Sequence, residues 1–285
     1  MLEELRTERL QDSLWVDSLS YCQAKVLRSG PVPWDNPAKI GDFFGKMDAI
    51  FASDAVLFDV GRAYADMTAA LPAVRQAMGA RDRPGYPLKV LLGESSLRTW
   101  VVDALIAVAA MAVARGREVA ICVPSPPRWL REARMLTSGS SPCDSLLSTE
   151  ELEAAAIYVA DGLRGFAGLR IDAVVVDEGG RTGETIDSLE AYRAIFNIAE
   201  HYGWSVLHRA DLDACWHLDP VHGVAASLGR CAPSAQVTRP WGIVTALGAS
   251  AALLSSGGAP AVTVVPGDAD PVDVTRWMSA LRSMR

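Results

Sequence analysis

Apolar residues along the chain follow two spacings that alternate from about residue 86 onward. Before that point helical spacing dominates. Residues 3–28 form an amphipathic stretch that stops near Ser29, Gly30 and Pro31, and the turn-rich PVPWDNPAK (31–39) leads into a second helical stretch, 38–51. The apolar run AVLFDVG follows, with a helix-like segment ending at Gly79 and Ala80. The first eighty residues therefore read as mainly helical. PLKVLL (87–92) fits either a strand or the start of a helix, and residues 97–114 read as a buried helix closed by Arg115, Gly116 and Arg117.

Short runs rich in β-branched residues then recur between helices. EVAICVP (118–124) is stopped by three prolines, Pro124, Pro126 and Pro127. IDAVVVD (171–177), WSVLH (204–208), GIVTAL (242–247) and AVTVV (261–265) have the continuous apolar character of strands buried on both faces. Between them, residues 148–168 make the clearest helix. It opens on a Ser148-x-x-Glu151 capping box, and Leu152, Ala155, Ala156, Val159, Leu163 and Phe166 share one face. A further helix spans about 185–201, residues 211–240 are less regular, and a last helix starts near Pro271. Strands alternating with helices imply parallel pairing through right-handed crossovers. Two α/β architectures satisfy this: a (β/α)8 TIM-like barrel over 54–285 preceded by a helical N-terminal extension, 1–53, which is the favoured reading, and a doubly wound parallel sheet.

Composition narrows the function. Of 285 residues, 50% are hydrophobic and 21% charged, which is the balance of a folded domain with a substantial core. The formal net charge of -7 argues against nucleic-acid binding, which needs a basic surface. Cys22, Cys122, Cys143, Cys215 and Cys231 are odd in number and scattered, so a reducing compartment and cytoplasmic location are expected. The N-terminus lacks an apolar signal core, and the apolar run near Val101–Ala114 is short for a span and contains Asp103, so no membrane is expected. A homodimer is the expectation symmetry statistics supply.

In both architectures, function sits at the carboxyl ends of parallel strands. Those ends carry Ser125, Arg128 and Trp129; Asp177 and Glu178; His208, Arg209 and Asp211; and the turn Pro266–Asp270. Asp177 and Glu178 point to opposite strand faces, so one of them can face a pocket as acid/base or clamp, the alternative being a helix cap beside a solvated glutamate. His208 is placed to shuttle protons, or to be a hydrogen-bonded core histidine. Arg128 and Arg209 are candidate anion anchors, with Ser125, Asp211 and Trp129 as further substrate contacts, although core packing accounts equally for Trp129. Backbone amides around Gly248–Ser250 or Gly267 and Asp268 offer a weaker phosphate cradle.

Three motif readings compete. LGESSLRT (92–99) is a degenerate P-loop without either glycine. VVVDEGGRTGET (174–185) resembles the diphosphate-ribose loop of phosphoribosyltransferases, with Glu178, Gly179 and Gly180 departing from that pattern. Residues 118–209 resemble the barrel superfamily of cobalamin-independent methionine synthase and uroporphyrinogen decarboxylase. The resemblance is carried by VAICVPSPPRWL, a helix of the EELEAAAIYVADGLRGF type, IDAVVVDE, and WSVLHRAD, in that order. It implies a TIM-like barrel with its site at the C-terminal mouth. In that superfamily the methionine synthases hold zinc through His-x-Cys with later Glu and Cys. Here Ala210 replaces the cysteine, no glutamate follows Glu200, and Cys215 and Cys231 lie off the strand ends, so zinc is possible only with an incomplete ligand set. No dinucleotide fingerprint is present and no other cofactor is expected. The expected protein is an enzyme of lyase or transferase type using Asp177, Glu178 and His208 on a small anionic molecule. A non-catalytic, partner- or ligand-binding relative is the alternative.

Overall fold

The computed structural model describes residues 13–138, 147–179, 189–210, 226–229, 241–246 and 261–282, with the backbone alone at 138, 226–229, 241–246 and 282. Eight strands lie among them: β1 (Leu14–Asp17), β2 (Ala55–Asp59), β3 (Glu118–Pro124), β4 (Ala173–Asp177), β5 (Ser205–Arg209), β6 (Ala226–Gly229), β7 (Trp241–Ala246) and β8 (Ala261–Val264). They pair in parallel in chain order, and β1 also pairs with β8, so the order closes into a barrel. The helices that describe the outer layer are α1 (Leu19–Lys25), α2 (Pro37–Phe51), α3 (Val60–Ala69), α4 (Pro72–Met78), α5 (Tyr86–Gly93), α6 (Ser95–Ala114), α7 (Pro126–Ser138), α8 (Thr149–Arg164), α9 (Arg193–Tyr202) and α10 (Pro271–Arg282). The fold is TIM-like rather than doubly wound.

The expected N-terminal extension is not separate from this barrel. Leu14–Asp17 is its first strand, matched residue by residue to Ala261–Val264, and α1 and α2 belong to its helical layer. The four residues LWVD sit inside a stretch of helical spacing, yet pairing with β8 wins because Trp15 and Val16 are buried on opposite faces of the strand. Against β2 the ladder is thin, with Trp15 opposite Ala55 as the one registered pair. Side chains complete it. Asp54 Oδ2 accepts from Leu14 N at 2.7 Å, and Ser53 Oγ accepts from Val16 N at 3.0 Å. Residues 87–92, ambiguous in sequence, are helical in α5, where Leu88, Leu91 and Leu92 bury one face. The LGESSLRT segment thus follows a helix instead of a strand, which removes the P-loop reading.

Strand alternation builds two cores. Val174, Val176 and Val206 face outward into a large apolar layer beneath the helices. Trp15, Ala55, Ala120, Cys122, Ala173, Val175, Leu207 and Val262 face inward and fill the barrel. Three alanines around one tryptophan keep the interior packed without strain. Outside, α2 packs on α6 near Gly41, where a Cβ would meet the Ala107 carbonyl oxygen at an ordinary contact distance of 3.6 Å. By length and composition α6 passes for a membrane span, but Val101, Ala104, Leu105, Val108 and Ala112 are buried in the helical layer of the barrel. The expected capping box is present, with Ser148 Oγ accepting from Glu151 N and Glu151 accepting from Ser148 N.

Candidate active site at the barrel mouth

Strand period decides which end residues meet. β1, β2 and β4 read LWVD, AVLFD and AVVVD, and in each the closing aspartate points inward, two residues above an inward apolar side chain. Asp17, Asp59 and Asp177 thereby face one hollow of about 330 Å³ at the carboxyl ends of the strands. Its floor is Trp15, Leu57, Val175 and Val262, and its walls include Cys122, Arg62, Arg128, Arg209 and the turn at Pro266 and Gly267. A volume of this order suits a small molecule.

Charge runs around the mouth in alternation. Arg128 Nε donates to Glu132 Oε1 at 2.6 Å and its Nη1 to Asp177 Oδ2 at 2.7 Å. Arg209 has its Nε 3.9 Å from Asp177 Oδ1, while its Nη1 donates to Asp17 Oδ2 at 3.1 Å. Since β5 lies opposite β1 in the strand order, Arg209 spans the mouth from one side to the other. Burial alone would weaken both guanidiniums as bases, but the neighbouring carboxylates outweigh it, Asp177 foremost, and both are held more firmly cationic than usual. Arg62 is also engaged, with Asp66 Oδ1 at 2.7 Å and Gln23 Oε1 at 2.9 Å.

Asp59 is different. It caps α3, its Oδ1 accepting from Arg62 N at 2.8 Å, and no cationic side chain is hydrogen-bonded to it among the described residues. Burial, reinforced by the charges of Asp17 and Asp177, lifts its pKa from 3.8 to about 6, against the pull of the Arg62 amide and Arg128. Gly61 makes this placement possible: a Cβ there would stand 2.4 Å from Pro124 Cγ, so only glycine lets the start of α3 close onto the end of β3. Burial, then Asp177 and Asp59, pushes the Cys122 thiol well above its usual range, so it is a protonated wall of the hollow.

The expected site divides between the two faces of the sheet. Asp177, Arg128 and Arg209 line the hollow. Glu178 and His208 do not. They meet on the outer face, His208 Nε2 lying 3.0 Å from Glu178 Oε1, and the His208 side chain is fully buried. His208 as proton shuttle to a pocket substrate is therefore corrected by period two: Leu207 and Arg209 face in, so His208 faces out. Ser125 is also fully buried and sits in this rear cluster with Tyr192. Trp129 is 2% exposed and packs edge-on to Tyr64, which makes it core. Asp211, Cys143, Cys215, Cys231, Gly248–Ser250 and the glycine-threonine part of the diphosphate-ribose motif lie outside the described residues. The amide at the start of α10 is occupied, since Asp270 Oδ1 accepts from Val272 N at 2.7 Å. Among the described residues no group of three or more His, Cys, Asp or Glu side chains is placed to hold a metal. Sequence reasoning missed Asp17, Asp59, Arg62 and Cys122, although the shared apolar-run-then-Asp ending of three segments was available as a signal.

A TIM-like α/β barrel with a polar hollow at its C-terminal mouth is the class these features define. No family model matches the chain, and no curated protein does. Among solved structures it is similar to a GH20 catalytic module of the pneumococcal exo-β-D-N-acetylglucosaminidase StrH, at 8% identity and a TM-score of 0.49, covering 98% of this chain and 86% of that one. It is also similar to a GH29 α-L-fucosidase from Bacteroides thetaiotaomicron, at 12% identity and a TM-score of 0.48, covering 99% of this chain and 73% of that one. Both scores fall below 0.5, so these are loose similarities of chain course.

Proposed function

We propose that the protein is an enzyme that moves a proton to or from a small polar substrate held at the barrel mouth, in a bond-cleaving or group-transferring reaction. The observation that supports this most is Asp59, a carboxyl with a pKa of about 6 facing a small hollow with an apolar floor. General acid–base catalysis works best when the group titrates near the operating pH, and such a group contributes about 10²–10⁴ in rate. Asp177, set between Arg128 and Arg209, is the charged frame against which a substrate is oriented. The guanidiniums already carry carboxylates, so an anion would have to displace Asp17 or Asp177. The arrangement favours a substrate that donates hydrogen bonds to the aspartates over the anion expected from the arginines alone.

The test is proton NMR of a panel of polyols, amino alcohols, hydroxy acids and phosphate esters incubated with the protein in D2O near pH 6. At least one compound is expected to be converted, with the rate falling about 100-fold or more in Asp59→Asn and unchanged on substituting the exposed Asp161 by Asn. Conversion that survives Asp59→Asn overturns the assignment. Binding without conversion makes the protein a ligand-binding barrel, and neither binding nor conversion across the panel removes the reading altogether.

A further inference from the structure

Behind the hollow lies a second polar group that the proposed chemistry does not use. His208, Glu178, Tyr192 and Ser125 are packed between the sheet and the outer layer, with His208 and Ser125 fully buried. The Tyr192 hydroxyl stands beside Glu178 and Ser125. A carboxylate only accepts, so toward Glu178 the Tyr192 hydroxyl can act only as donor. Burial, then the Glu178 charge, pushes the Tyr192 hydroxyl well above its usual range, which keeps that proton in place. Glu178 thus meets His208 Nε2 at 3.0 Å with the Tyr192 hydroxyl beside it, while His208 Nδ1 has no partner among the described residues. Ser, His and an acid are all present, but the carboxylate stands between the other two and none reaches the hollow, so the group is not arranged for nucleophilic attack.

Its position points to another role. Glu178 immediately follows Asp177, the last residue of β4, and His208 precedes Arg209 on β5. Adjacent strand residues face opposite ways, so fastening Glu178 to His208 behind the sheet fixes Asp177 and Arg209 in front of it. The backbone supports the same junction, with Glu178 N donating to Arg209 O at 2.9 Å and Ser125 N to Asp177 O at 2.9 Å. In front, Arg209 Nε stands 3.9 Å from Asp177 Oδ1, beyond hydrogen-bond length, so the pair in the hollow does not align itself. We infer that His208, Glu178 and Tyr192 are positioning residues. They form a rear clasp that sets the angle at which Arg209 crosses the mouth between Asp177 and Asp17. The inference rests on the mouth being the functional site, but its mechanical content is independent of any substrate.

The test is therefore made without substrate, on the full chain, by nitrogen-15 NMR of the arginine guanidinium N–H groups and their exchange with water, read at Arg209 Nη1–H, which donates to Asp17 Oδ2 at 3.1 Å. Arg117, whose Nε donates to Asp48 Oδ1 at 2.9 Å near the start of β3, is the internal reference. His208→Phe, which keeps a ring but removes the donor, is expected to speed Arg209 Nη1–H exchange at least about tenfold with Arg117 unchanged. His208→Gln, which restores a donor at similar reach, is expected to return most of the protection. Tyr192→Phe gives a second, milder route to the same loss should His208→Phe fail to fold. Equal acceleration at Arg117 and Arg209 would show general loosening and overturn the clasp, as would unchanged Arg209 exchange in both variants. Either result leaves the Asp59 assignment standing, and loss of that assignment leaves this readout intact.

Discussion

Substituting Asp59 by Asn removes a carboxyl that the fold holds against its preference to ionise. Asn keeps an oxygen able to cap α3 through the Arg62 amide, so the helix start is retained. The pKa is raised from 3.8 to about 6 in the folded protein. Below the lower value the group is protonated in folded and unfolded chains alike, and the substitution changes nothing through this route. Between the two values the folded chain holds a proton that the unfolded chain has released, so the wild type loses stability as pH rises. Above the upper value both forms are ionised and the full penalty remains. A shift of roughly two pH units at about 1.4 kcal/mol each gives about 3 kcal/mol, a ceiling since the side chain keeps contact with the mouth. Asp59→Asn is therefore expected to equal the wild type near pH 3.5 and to exceed its stability by about 1–3 kcal/mol at pH 7 and above. Urea unfolding followed by tryptophan fluorescence at several pH values measures this, and the acid sensitivity of the other carboxylates cancels in the difference between the two proteins. A difference that stays flat with pH, or an Asn variant weaker than the wild type at pH 7, would refute both the shift and its sign.

Two further outcomes follow from the geometry. Asp54→Ala leaves the Leu14 amide at the β1–β2 junction without its 2.7 Å acceptor and should cost about 1–3 kcal/mol in urea unfolding, whereas Asp54→Asn, which keeps an acceptor, should cost far less. Gly61→Ala forces a Cβ to within 2.4 Å of Pro124 Cγ and should lower stability by about 1–3 kcal/mol by thermal unfolding, while Gly93→Ala, with nothing within 4 Å, should stay within about 0.5 kcal/mol of the wild type.

How much of this was legible beforehand follows from burial. β3, β4, β5 and β8 were readable because strands covered on both faces become unbroken apolar runs bounded by turns. β1 was not, because four residues between segments of helical spacing cannot interrupt that periodicity, and its partner β8 lies some 247 positions away in register. The 87–92 run became a helix through the placing of Leu88, Leu91 and Leu92, a spacing that a six-residue window does not separate from a strand. At the mouth, Asp177, Arg128 and Arg209 were legible as charged groups just past apolar runs. The side each faces was not, since a one-residue slip exchanges Asp177 for Glu178 and Arg209 for His208. Asp17 and Asp59 escaped notice because the segments bearing them were assigned to a helical extension and its sequel.

Trp15 has a bearing on selectivity. The hollow ends downward on its indole, and the inward positions of three other strands at or below that depth, Ala55, Ala120 and Ala173, contribute little more than a methyl each. How far a ligand reaches along the barrel axis is accordingly set by Trp15 together with its floor neighbours Leu57, Val175 and Val262. A smaller side chain at position 15 would deepen the hollow toward these alanines and Leu207, and the length of molecule accepted would change while the aspartates above it kept their stations.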